Sequence, residues 1–268
     1  MTGGPAALAG RLLFEPYADQ LRASGAYLPS REALDQSLDA CGARPCLADG
    51  TPIRLIASAH AEGYEAGIAR TGGVPTRSDD WHDYFNALVW WRFPRAKAAL
   101  NAAHLAEIDS RAQGAPRGRR RDALTQFDEC GVVVSASDPA LLDCLRQHDW
   151  RGLFWDARAA WGHRISVTVF GHASLDQLRA PFLGLCGKAL LWEVSPAWFA
   201  SEPALRWREL DAWLADCIGR QDVFGAPRDL RPLPFLGVPG LVAANAAADY
   251  YDDTRQFRPL RVRPPATL

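Results

Sequence analysis

The chain has 268 residues, 48% of them apolar, and a formal net charge of −1. That length and composition can bury a core of domain size. Near-neutrality argues against a protein-wide polyanion or membrane footprint, and no run of 18 or more apolar residues suggests a span. The start, MTGGPAALAGRLLF, has no basic segment ahead of a long apolar stretch, so no signal peptide is read. A cytoplasmic protein with no membrane partner is expected.

Cys41 and Cys46 form one loose pair with no second pair, a weak metal signal. The other cysteines, Cys130, Cys144, Cys186 and Cys217, read as small buried hydrophobes. Ten tryptophans point to a large core, with some available to line a pocket. Only Lys97 and Lys188 are lysine among 30 basic residues. A lysine kept in such a background is a candidate for an amine whose basicity is tuned.

Residues 1–15 are expected to be a flexible N-terminus ahead of a single globular domain, 16–268. Helices are predicted at 17–24 and 31–40, the second capped by Ser30. Asp49-Gly50 marks a turn, 53–57 a short strand, and 61–70 a helix stopped by Gly72 and Gly73. Trp81, Phe85 and Leu88 give the buried face of a helix over 79–92. Phe93-Pro94 breaks it, and Pro94 starts the next helix, which runs to about residue 108. A loop over 110–121 carries Arg111, Arg117, Arg119, Arg120 and Arg121. Residues 124–127 and 132–135 read as a β-hairpin turning at Asp128-Glu129-Cys130-Gly131. A helix opens at Pro139, and 152–161 reads as helical. A strand over 165–170 ends at Gly171-His172, and a short helix follows. Residues 188–194 form a further strand and 202–218 a long amphipathic helix. Four prolines between 227 and 239 impose an extended path. With no repeat or linker, the pattern predicts an α+β fold: one compact domain, helix-rich with a small mixed sheet.

Several runs are distinctive: Val74-Pro75-Thr76-Arg77, Trp81 through Trp90, Phe93-Pro94-Arg95-Ala96-Lys97, and Arg121 to Thr125 with Phe127-Asp128-Glu129. Phe170-Gly171-His172-Ala173, Pro232-Leu233-Pro234, Gly237-Val238-Pro239-Gly240 and Phe257-Arg258-Pro259 complete the set. Over about residues 60–260 they resemble the domain of unknown function family 3025 (DUF3025) of Gram-negative bacteria. The resemblance implies a bacterial cytoplasmic protein and supplies no activity, so the chemistry is argued from residues.

At 100° per residue, Lys97, Asn101 and His104 share one stripe within about 60°. His82 and Asn86 share a face of the preceding helix. The proline break allows the two stripes to converge. Two imidazoles, an amine, amides and Asp83 suit general acid–base chemistry, with His82, Asp83 and His104 as alternative metal ligands. Whether a metal is bound stays open. His172, just past a strand and behind a glycine, is the next candidate. Thr76 and Arg77 precede the His82 helix and suit an anion at its N-terminus. Asp128 and Glu129 read first as hairpin-turn residues, with Arg121 beside them at the strand entry.

The expected function is a hydrolase-like acid–base or metal-dependent enzyme with catalytic His82, Asp83, His104 and His172. Thr76, Arg77, Asn86, Lys97, Asn101 and Arg121 would hold a small anionic or phosphorylated substrate. The alternatives are a binding module for nucleic acid or a small anion, through the arginine loop, or an interaction domain displaying tryptophans.

Overall fold

The computed structural model describes residues 3–39, 44–57, 63–110, 118–220 and 222–260. Helices α1 (Ala18–Ser24) and α2 (Arg31–Ser37) come first, the latter capped as expected by the Ser30 hydroxyl accepting from the Ala33 amide. Strand β1 (Arg54–Ile56), helix α3 (Tyr64–Thr71) and strand β2 (Gly73–Pro75) follow, with β1 and β2 pairing in parallel. Gly72 ends α3 in the left-handed conformation at φ 69°, where glycine alone is unstrained.

Helix α4 (Trp81–Arg92) meets helix α5 (Pro94–Asp109) at the Phe93-Pro94 break. Phe93 offers no side-chain cap to α5. Asp211 supplies it instead, accepting from the amides of Arg95 at 3.2 Å and Ala96 at 2.9 Å. Helix α6 (Arg119–Cys130) runs without a loop into strand β3 (Gly131–Ala136), and helix α7 (Pro139–Gln147) comes next. Strand β4 (Ile165–Val169) leads to helix α8 (His172–Gln177), and strand β5 (Cys186–Glu193) to helices α9 (Pro196–Ala200) and α10 (Pro203–Gly219). Strand β6 (Arg231–Pro234) closes the larger sheet.

That sheet has the order β4-β3-β5-β6. β3 is antiparallel to β4 and parallel to β5, and β6 is antiparallel to β5. Every residue of β3 is buried, so this strand lies at the centre of the core. The architecture is the expected helix-rich α+β domain with small mixed sheets.

Three sequence expectations are corrected. The predicted hairpin at 124–135 is a helix followed by a strand. Ala123, Leu124 and Phe127 are buried at helical spacing, and β3 pairs with β4 and β5 rather than with a preceding strand. The proline-rich stretch is more than the extended path expected of it. It contains edge strand β6, where Pro232 and Pro234 need no donor on an unpaired side. The N-terminal stretch expected to fray carries a 3₁₀ turn over Pro5–Leu8, and Leu8, Leu13 and Phe14 are in the core. Residues 61–62 of the predicted α3, together with Cys41, Arg111 and Arg117, lie outside the described residues. None of the ten tryptophans is exposed.

Candidate functional site

The site forms where α6 becomes β3 and β4 gives way to α8. The antiparallel register pairs Val132 with Val169. Glu129, three residues before Val132 in the last turn of α6, and His172, three residues after Val169 at the start of α8, therefore lie just beyond the same end of this pairing. Two glycines permit that approach. A Cβ on Gly171 would sit 2.4 Å from the Gly131 nitrogen and 2.5 Å from the Glu129 carbonyl oxygen. A Cβ on Gly131 would sit 2.3 Å from the Phe127 carbonyl oxygen. The amides of Phe170 and Gly171 both donate to the Gly131 carbonyl, at 2.9 and 2.8 Å. The first turn of α4, capped by Asp80 accepting from the Asp83 amide, presents His82 to the same point.

There three ligand-type atoms converge. His82 Nε2 and His172 Nε2 are 3.1 Å apart, and Glu129 Oε2 lies 3.5 Å from His172 Nε2 and 3.9 Å from His82 Nε2. A tetrahedral zinc ion with bonds of about 2.0–2.1 Å keeps its ligand atoms about 3.3–3.4 Å apart, whereas an octahedral facial set draws them to about 3.0 Å. The observed triangle averages closer to the tetrahedral spacing. Burial drives the His172 pKa down to about 4, against the pull of Asp128. The imidazole is therefore neutral at pH 7, with no proton to displace from a ligating nitrogen. Burial pushes the Glu129 carboxyl above its usual range, His82 opposes the shift, and neighbouring Asp128 adds to it.

The trio rests on a polar support. Lys97 is 3% exposed, and its Nζ donates to Asp128 Oδ1 at 2.6 Å and to Asn86 Oδ1 at 2.9 Å. Asn86 Nδ2 in turn donates to the Tyr64 hydroxyl at 3.1 Å. Asp128 Oδ1 stands 4.0 Å from His172 Nδ1, on the side of the ring away from the triangle. Burial would raise the Asp128 carboxyl, but Lys97 and His172 overcome it and hold that group ionised below the usual range. A carboxylate behind a histidine favours the proton on the nearer nitrogen, Nδ1, and leaves Nε2 free to ligate; at 4.0 Å the contact is one of charge, and Nδ1 has no hydrogen-bond partner among the described residues. The triangle borders a cavity of about 240 Å³, also lined by Glu65, His104 and Thr125.

Of the residues singled out by sequence, His82 and His172 meet directly, and Lys97 and Asn86 join as the proline break predicts. Lys97 is held by Asp128 instead of facing an anion. His104 is buried on α5 and lines the cavity. Asn101 Nδ2 donates to Glu65 Oε2 at 2.6 Å. Asp83 lines the cavity, but Arg77 takes its carboxylate through Nε at 2.8 Å and Nη2 at 3.0 Å, so these two charges neutralise each other at the rim. Thr76 stands apart: its hydroxyl donates to the Val74 carbonyl at 3.0 Å. The first turn of α4 is thus filled by Asp80 and Asp83 rather than offered to an anion. Arg121 lines an adjoining cavity. The arginine loop is partly spent, with Arg120 donating to the carbonyls of Ile218 and Arg220.

Glu65 has no counterpart among the sequence candidates, and Glu129 reads in the sequence first as a hairpin-turn residue. Burial lifts the Glu65 pKa to about 7, with the Asn101 hydrogen bond working against the shift. Only tertiary burial distinguishes this glutamate, so its sequence neighbours carry no signal. A folded-state pKa above the unfolded one gives stability that is present below the unfolded pKa and lost as pH rises through 7. Glu65→Gln is therefore expected to gain about 2 kcal/mol on the wild type between pH 5 and 8, read from urea midpoints. Parallel pH profiles for the two proteins would contradict the assignment.

The model of a family described as "Protein of unknown function (DUF3025)" matches residues 54–261. No curated protein and no solved structure matches the chain.

Proposed function

This chain belongs to the DUF3025 family, and from the geometry of its site we propose that it is a zinc-dependent hydrolase of a small molecule. The observation that carries the reading is the convergence of His82 Nε2, His172 Nε2 and Glu129 Oε2 within 4.8 Å of one another beside a cavity. Three protein ligands leave a fourth position open, the arrangement of catalytic rather than structural zinc. An ion held there would supply a bound water with a pKa lowered to about 7. The residues around it do the rest. Glu65, near half-ionised at neutral pH, can accept a proton from an attacking water and return it to a leaving group. Asp128 places its charge behind the His172 ring, and Lys97 keeps Asp128 ionised. The interaction reading has less support, since every tryptophan is at least partly buried.

Zinc-loaded protein is to be assayed against aryl esters, aryl phosphates and amides with a chromogenic leaving group. Turnover of one class is expected, abolished by chelation and restored by zinc. Glu65→Gln should lower it about 100-fold or more while zinc content is unchanged. Turnover indifferent to chelation would overturn the reading.

A further inference from the structure

A second cavity, about 400 Å³, opens between α3, α5 and α6 and shares Tyr64, Glu65, His104 and Thr125 with the wall of the first. Its own charged residue is Arg121, on the first turn of α6. Several arginines are held by an acceptor: Arg44 holds Asp35 and Asp39, Arg77 holds Asp83, and Arg158 holds a carbonyl. Arg121 lines this cavity, and its Nε, like those of Arg179 and Arg206, is shut off from solvent with no acceptor among the described residues. A guanidinium carries five donors in a fixed fork and is costly to leave unsatisfied away from water. Its position beside Glu65 lowers the carboxyl's proton affinity only slightly against burial.

We propose that this second cavity binds a phosphate group on the substrate, with Arg121 as its principal contact and the bond to be cleaved reaching the His82–His172–Glu129 triangle. The proposal deepens the hydrolase reading by naming a substrate class, a small phosphorylated molecule. A carboxylate has two oxygens in one plane, which the Arg121 fork alone would satisfy. A tetrahedral phosphate offers oxygens in several directions, and this cavity presents polar groups from three helices. The α3 start adds to this, because Gly63 gives its first-turn amides no side-chain cap.

The test separates this site from the metal. Inorganic phosphate is titrated calorimetrically into chelator-treated protein, so that no bound zinc can supply the affinity. Saturable binding is expected in the wild type. Arg121→Gln should weaken it about 10- to 100-fold, and Arg121→Lys, which keeps the charge and loses the fork, by an intermediate factor. The thermal midpoints and zinc content of both variants should match the wild type. His172→Ala should keep phosphate affinity while losing zinc, so failure of the metal reading and failure of the phosphate site give different results. No saturable phosphate binding, or equal affinity in Arg121→Gln, would overturn the proposal. Acetate binding as tightly as phosphate with the same Arg121 dependence would also overturn it, by making the cavity a carboxylate site.

Discussion

Exchanging His172 for alanine is expected to cost at least about 100-fold in zinc affinity. Loss of a residue that merely orients a ligand costs 10- to 100-fold, and His172 is placed as a ligand itself. Two features make its contribution large. It is almost wholly buried, so its nitrogen is fixed by packing before any ion arrives. Its pKa of about 4 leaves it neutral across the physiological range. Glu129→Gln keeps the volume, removes the charge, and should lose zinc to a comparable degree. The pH dependence follows from the same groups. Ligands must be deprotonated, so affinity falls with falling pH, and because His172 protonates only near 4, it does not set the upper part of that fall. The Glu129 carboxyl, held above its usual range, contributes to it, so Glu129→Gln should bind more weakly with a flatter pH profile. Competition with a chromophoric chelator measures the affinities, and metal analysis after dialysis gives the stoichiometry. Zinc at a hundred times the wild-type dissociation constant should also stabilise the wild type by about 2.7 kcal/mol and His172→Ala by no more than about 0.4 kcal/mol. Undiminished zinc on His172→Ala would remove this ion site.

The helical half of this site was legible in the sequence because its information is local. Spacing placed His82 with Asn86 and Lys97 with Asn101 and His104, and the residue pair Phe93-Pro94 announced the fold-back that brings Lys97 to Asn86. The α6–β3 half was misread for a physical reason. Leu124, Thr125, Phe127 and the valines after Gly131 suit strands on propensity, while burial of Ala123, Leu124 and Phe127 on one helical face outweighs it. In a hairpin, Asp128 and Glu129 would sit at a solvent-exposed tip. As the last turn of a helix packed on α5 and α8, they come within 4.0 Å of two histidines. The site therefore depends on a register, Val132 against Val169, joining segments that no local pattern links. Glu65 and Arg121 belong to the same class, since packing alone shows that one is shielded from water and the other lacks an acceptor.

Lys97 provides the sharpest separation between holding the site and operating it. Its ammonium is buried against Asp128, Asn86 and the face of Trp90, the last at 5.4 Å from the ring centre. Removing one partner of such a pair strands the other charge, a loss of about 3–5 kcal/mol when burial is complete. Asp128 keeps 19% of its side chain exposed, which moves the expectation to the lower end, about 3 kcal/mol for Lys97→Met. Asp128→Asn alone leaves the ammonium without its charge partner and should also destabilise. The double variant Lys97→Met with Asp128→Asn removes both charges, so it should recover part of the loss, and the double-mutant cycle should give a favourable coupling above about 1 kcal/mol. The metal ligands are untouched in Lys97→Met, and a nearby positive charge is gone. Zinc affinity should therefore hold or rise while the urea midpoint falls. A Lys97→Met protein that keeps its stability but loses zinc would reverse the roles, making the amine a working member of the centre instead of the counter-charge beneath it.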